Sequence, residues 1–317
     1  MEWMRLNDLI LCLTAVLPIL LIALCGYGAR RAGLIRAEDV PRANKWAFAV
    51  FMPLMCFYNI YQSDLSSALR PRLIAFAIVA ILAVYALSLA WVCVFVKKKE
   101  SRGVMIQGLF RSNFVILGLP LAAGLAPDGD LGVAAVMAAF VVPCFNVLAV
   151  ITLEAFRGQR PKASELLLGI LKNPLILGSV AGLLALILKL HLPAFLESPI
   201  RDMGKAASPV MLFLLGASIR PEPDASRRRL GAIVCVGRLL VIPALVLTAA
   251  VLLGFRGIEL VTLLAVFASP TAVASFTMAE QLGGDAPLAG KIVVITSTLC
   301  PLTIFGWSYL LKVLGLF

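Results

Sequence analysis

Apolar residues run through this chain in long blocks, broken by short polar and basic clusters. The stretches 9–29, 73–96, 131–153, 260–279 and 292–311 hold no Asp, Glu, Lys or Arg. Each comes close to the ~20 apolar residues that a helix needs to cross a bilayer. The apolar–polar alternation of barrel strands is absent. The pattern predicts ten membrane helices, at about 8–29, 42–62, 72–96, 103–125, 131–155, 165–189, 199–219, 229–254, 258–282 and 287–314. Nine is the competing count. Spans 2, 4, 6, 7 and 8 are less uniform than the rest. Arg111, Lys172 and Arg238 fall inside apolar stretches, and span 7 is clean only over 206–219.

Composition points the same way. The 317 residues are 61% hydrophobic and 14% charged, with a mean hydropathy of +1.00. Soluble domains run nearer half apolar and about a quarter charged. The expected class is therefore an all-α polytopic membrane protein. The seven cysteines form no CxxC pair and read as small packing residues. His191 has no second histidine with which to share a metal, so neither a metal nor a cofactor is expected.

The net charge of +11 reads as a topology signal and not as a nucleic-acid surface. The loops after spans 1, 3, 5, 7 and 9 carry about twice as many Lys and Arg as the opposite side, with clusters at Arg30 and Arg31, at Lys97, Lys98 and Lys99, and at Arg227, Arg228 and Arg229. The basic side should be cytoplasmic. Both termini then lie outside, periplasmic for a bacterial inner membrane. Arg5 is the only basic residue before span 1 and is flanked by Glu2 and Asp8; with no clear cleavage site, span 1 should be retained.

Landmarks recur between the halves. The segment from Pro18 resembles that from Pro174, and the segment around Pro53 resembles that around Pro209, both at an offset of 156. Arg72 matches Arg229 at 157, Pro120 matches Pro270 at 150, and Pro143 matches Pro301 at 158. Five landmarks in one order suggest a duplicated five-helix unit, residues 1–155 and 165–317. An odd number of spans per unit gives the two copies opposite membrane orientation, and inverted repeats with broken helices mark transporter sites.

Proline lacks an N–H and clashes with the carbonyl four residues back. Pro120 should free the carbonyl of Ile116, and Pro270 that of Val266. Gly118 adds backbone freedom beside Pro120. Ser269, Thr271 and Ser275 surround the second break, whose half-helix N-terminus near Thr271 would favour an anion. Asn113 shares a helix face with Pro120, about two turns away. A polar side chain at that depth is a candidate ligand-binding residue, against the alternative of a helix-to-helix hydrogen bond. Arg111 could attract an anion, but snorkelling to the surface or an ion pair is the favoured reading, which makes it a flank of the site. Lys172 and Arg238 are read alike. Asn59 and Asn146 are further intramembrane amides on the possible flank.

RSNFVILGLPLA (111–122), NPLILGSVAGLL (173–184) and SPTAVASFTMAEQLGGDAPLAGKIVVITSTL (269–299) resemble the auxin efflux carrier family, which includes plant PIN carriers and bacterial malonate or malate permeases. The likeness runs over nearly the whole chain. It implies ten helices in a five-plus-five inverted repeat, similar to bile acid sodium symporters, with spans 4 and 9 crossing at broken midpoints. It implies a scaffold of spans 1, 2, 6 and 7 that forms a homodimer, and a moving transport domain of spans 3–5 and 8–10. The family asparagine falls on Asn113, its crossover prolines on Pro120 and Pro270, and the residue after the second proline is Thr271. Only about ten residues, 156–165, join spans 5 and 6, where plant carriers hold a long regulatory loop, which suggests a bacterial-type member.

The expected function is secondary transport of a small organic anion, a dicarboxylate such as malonate or malate or an auxin-like carboxylate, by an elevator-type motion through a lipid bilayer. Sodium coupling of the bile acid type is the alternative, but Glu280 and Gln281 lie at the end of span 9 and leave a cation cage incomplete. A membrane sensor on the same fold is a further alternative. Membrane-embedded enzymes need paired carboxylates, a histidine pair or a nucleophile with its base, and no such set is central to a span.

Overall fold

The computed structural model describes residues 2–36, 38–62, 69–126, 132–157, 168–219 and 224–317, with side chains from residue 17 onward. Residues 131 and 165–167 of the expected spans, most of the 156–165 connection, Arg160, Lys162, Arg220 and the side chain of Arg5 lie outside the described residues.

The described residues are helical apart from connections and one isolated β-bridge. In chain order, α1 is Glu2–Arg31. Next, α2 (Asp39–Trp46) runs through a π turn, Ala47–Phe51, into α3 (Met52–Tyr61). Then come α4 (Pro71–Phe95), α5 (Lys99–Phe110), α6 (Phe114–Leu125) and α7 (Gly132–Ala155). The second half holds α8 (Pro174–Ile187), α9 (Ala194–Ser218), α10 (Ala225–Leu252), α11 (Ile258–Ala268), α12 (Ala274–Gln281) and α13 (Ala286–Val313). Among the described residues, four helices are long and apolar enough to cross a membrane unaided: α4, α7, α10 and α13. In the regions of spans 4 and 9 the chain instead forms two pairs of short helices, α5 with α6 and α11 with α12.

Three prolines share one device. Pro53, Pro120 and Pro243 each sit second in an α segment that follows a five-residue π turn: Ala47–Phe51, Phe114–Gly118 and Gly237–Val241. In each case the N–H just before the proline reaches the carbonyl five residues back, those of Met52, Leu119 and Ile242 donating to Ala47, Phe114 and Gly237. The wider turn makes room for the ring, which in a regular helix would strike the carbonyl four residues back. The carbonyl so orphaned by Pro243 is that of Leu239, and it accepts from Trp307 Nε1 at 3.0 Å.

This relocates the first break. The sequence pointed to Pro120 and the carbonyl of Ile116. The π turn absorbs Pro120, and the chain opens upstream, where Arg111 is extended (φ −84°, ψ 111°) and Asn113 leaves helical geometry (φ −84°, ψ 47°). The second opening begins at Ser269 (φ −62°, ψ 149°), beside Pro270. Pro120 and Pro270 therefore do not hold matching places relative to the two openings. The helix ends Phe110 and Ala268 lie 158 positions apart.

The two openings meet. Ser112 and Thr271 form an antiparallel bridge. The N–H of Asn113 donates to the carbonyl of Pro270 (2.8 Å), and that of Ala272 to the carbonyl of Arg111 (3.2 Å). Phe110, Phe114 and Phe267 are wholly buried around this crossing. Gly118 keeps ordinary helical angles (φ −69°, ψ −40°), so it supplies space and not flexibility: a Cβ there would lie 2.8 Å from the carbonyl oxygen of Ala265. Elsewhere α1 and α9 touch backbone to backbone, since Cβ atoms on Gly26 and Gly216 would fall 1.9 and 1.8 Å from the carbonyl oxygens of Phe213 and Ala23.

Candidate functional site

A cavity of about 60 Å³ opens beside the crossing. Its walls are Met55, Cys56 and Asn59 of α3; residues 111–116; Val142, Phe145 and Asn146 of α7; Met211 of α9; and Ala272 and Ala274 at the start of α12. The first turns of α6 and α12 thus both border it. Helix N-termini carry partial positive charge, about half an elementary charge each.

Arg111 is 4% exposed. Its Nη2 donates to Asn146 Oδ1 at 2.7 Å, its Nη1 meets Met278 Sδ, and Asn146 Nδ2 in turn donates to Cys56 Sγ at 3.2 Å. Among the described residues no carboxylate forms an ion pair with Arg111. The expectation of snorkelling or ion pairing is corrected: the chain leaves helical geometry at Arg111, and the side chain turns inward to the Asn146 amide. Among the described residues, Asn113 Nδ2 and Ser112 Oγ are buried without a hydrogen-bond partner. A buried donor left unpaired costs about 1–3 kcal/mol, so two of them beside a cavity and a guanidinium describe a surface suited to an acceptor with negative charge.

The structure brings Arg111, Asn113, Ile116, Asn59 and Asn146 to this cavity. Other residues singled out from sequence stand behind it. Thr271 Oγ donates to the Gly108 carbonyl (2.7 Å), and its N–H to Thr296 Oγ (3.3 Å). Ser269 Oγ donates to the Ala265 carbonyl (2.6 Å), Pro270 accepts from Asn113, and Val266 accepts from Arg238. Ser275 Oγ is buried without a partner among the described residues, away from the cavity wall. Pro120 lies in α6 beyond the lining. Ser112 and Cys56 were not anticipated. Ser112 could have been found as the residue between two suspected ones, whereas Cys56 carries no signal of its own.

Arg238 also departs from its sequence reading. It is wholly buried in the π turn of α10, and among the described residues it donates to backbone: Ser269 (2.9 Å), Leu109 (3.1 Å), Val266 (3.1 Å) and Phe110 (3.4 Å). Lys172 is exposed ahead of α8. Glu280, which sequence left at the end of span 9, accepts from Asn44 Nδ2, and Asn44 Oδ1 accepts from Thr277 Oγ1 at 2.9 Å, tying α12 to α2 away from the cavity.

Comparison with known proteins gives a coherent result. The family described as Membrane transport protein matches residues 11–308. An uncharacterized transporter of Methanocaldococcus jannaschii is 25% identical over 305 residues, 93% of this chain and 97% of that protein. A Rhizobium meliloti protein described as a "Putative malonate transporter" is 26% identical over 308 residues, 94% of this chain and 95% of that protein.

Proposed function

This chain belongs to the membrane transport protein family, and on that premise we propose that it is a secondary transporter of a small organic anion, with the carboxylate held between Arg111 and Asn113. The observation that carries the reading is the buried guanidinium of Arg111, bound to the neutral Asn146 and not to a carboxylate, on the wall of a cavity that two helix N-termini also border. A desolvated guanidinium seeks an anion, and its fork matches a carboxylate in two-point geometry. Asn113 Nδ2 would supply a further donor. The phenyl ring of Phe145 and the side chains of Met55, Val142 and Met211 would pack on the carbon skeleton. Malonate is the first substrate to test, because a relative matched over nearly its full length bears that description.

The larger frame of this proposal is ten spans in two inverted five-helix units, with the crossing at Ser112 and Thr271 as their meeting point. Substrate would move by an elevator motion of spans 3–5 and 8–10 against spans 1, 2, 6 and 7. Two copies would join through the latter group in a cell membrane, with both termini outside. The similar helix-end offset of the two breaks and the close α1–α9 contact support this frame.

The test is uptake of labelled malonate, malate and indole acetate into proteoliposomes containing the purified chain. Transport of at least one acid is expected, competed by the others according to fit. Saturable binding of an acid without any flux would favour a sensor instead. If Arg111→Met and Asn113→Ala both transport like wild type, the carboxylate does not sit where it is placed here.

A further inference from the structure

Arg238 lies behind the cavity wall and serves the C-terminal ends of the other two half-helices, α5 and α11. Its four acceptors are the final carbonyls of α5 (Leu109, Phe110) and the carbonyls at and just beyond the last turn of α11 (Val266, Ser269). Such carbonyls have no partner within their own helix, and Pro270, lacking an N–H, cannot serve Val266. Each helix C-terminus carries about half a negative charge, so two of them offset one guanidinium. None of the ion pairs among the described residues includes Arg238. The approach of α10 to α5 is itself arranged, since a Cβ on the neighbouring Gly237 would fall 2.6 Å from the Leu109 side chain.

Converging half-helix C-termini with unwound carbonyls are the arrangement that coordinates sodium in transporters with broken helices. Here the arrangement is occupied by a residue of the chain. We infer that Arg238 is a tethered cation at the crossing of the two broken helices: it takes the place that a coupling metal ion would hold, so the crossing stays assembled without sodium. The transport half of this inference rests on the function proposed above. The assembly half does not.

The experiment uses the full chain in detergent and in proteoliposomes. In wild type, replacing sodium with choline should leave both the unfolding temperature and acid uptake unchanged. In Arg238→Ala, low non-denaturing guanidinium should raise the unfolding temperature, whereas urea, of the same shape but neutral, should not. Arg238→Lys should keep most of the uptake, while the uncharged Arg238→Met should lose about tenfold or more, as expected for removing charge-assisted hydrogen bonds. Equal behaviour of the Lys and Met variants, rescue by urea as good as by guanidinium, or saturable stabilisation of wild type by sodium would each overturn the inference. Should Arg238→Ala not fold, the Lys-against-Met comparison and the wild-type sodium response decide alone. Absence of uptake in wild type would sink the transporter reading while the unfolding measurements still judge the tethered cation.

Discussion

Asn113 donates its backbone N–H to the carbonyl of Pro270 at 2.8 Å, while its side-chain Nδ2 is buried without a partner among the described residues. The main chain of this residue builds the crossing, and its side chain is left for something else. The two roles separate on mutation.

Asn113→Ala should therefore lower acid uptake by about tenfold or more, the cost of one good hydrogen bond to a charged group, with little change in unfolding temperature. Asn113→Asp should be worse for uptake, because it sets a carboxylate against an anionic substrate. Uptake in proteoliposomes alongside thermal unfolding separates these effects. A large loss of stability in the alanine variant would show that the side chain is structural after all.

Arg111 is held by Asn146 Oδ1 at 2.7 Å. Asn146→Asp would give the guanidinium an internal carboxylate that competes with substrate. The KM for a transported acid should rise by about tenfold or more, since 1.4 kcal/mol is one decade. Asn146→Ala leaves the charge available and should have the smaller effect on KM, at a stability cost of about 1–3 kcal/mol. Concentration series on both variants provide the check, and the reverse ranking counts against Arg111 as the anion contact.

Trp307 Nε1 donates to the Leu239 carbonyl that Pro243 leaves without a helical partner. Trp307→Phe should destabilise the chain by about 1–3 kcal/mol. Pro243→Ala restores an N–H four residues on and relieves the need for the π turn. In that background Trp307→Phe should cost less, giving a coupling of the kind expected for groups that share one partner. Denaturant unfolding of the two single variants and the double variant measures it, and strict additivity would refute the link.

Gly216 allows α9 to meet the Ala23 carbonyl of α1, where a Cβ would sit at 1.8 Å. Nothing on that approach can yield except the helices themselves, so Gly216→Ala should destabilise by at least about 1–3 kcal/mol, the range for overpacking. Gly28→Ala, on the same α1 but with open space around the added Cβ, should be neutral to within about 0.5 kcal/mol. Unfolding temperatures of the pair give the comparison; similar values for both would mean that the helices separate freely.

Much of this was legible because a bilayer imposes strong rules on sequence. Long charge-free blocks announced the helices, and polar residues inside them drew attention to Arg111, Asn113 and Asn146, although Arg111 was expected at the surface or in an ion pair. What misled was proline. A proline demands room for its ring, but a π turn can provide that room without opening the backbone, as at Pro120, or the break can fall beside it, as at Pro270. Sequence does not distinguish the two outcomes, because the choice depends on which neighbours can take the freed carbonyl. Arg238 was misread for a related reason. Its acceptors are main-chain oxygens, which leave no trace in residue identity. Cys56 entered the cavity wall through packing of α3 on α7, a long-range relation with no local signature.

The bridge between Ser112 and Thr271 carries one more consequence. Helices joined only through side chains can slide, because each contact can be exchanged for a similar one. The bonds from Asn113 to Pro270 and from Ala272 to Arg111 are main chain to main chain, and sliding by one residue would break both. Under the elevator motion proposed above, both breaks would therefore travel as one rigid body, with any hinge placed in the connections around them. Deuterium should replace the amide protons of Asn113 and Ala272 as slowly in a working carrier as in a resting one.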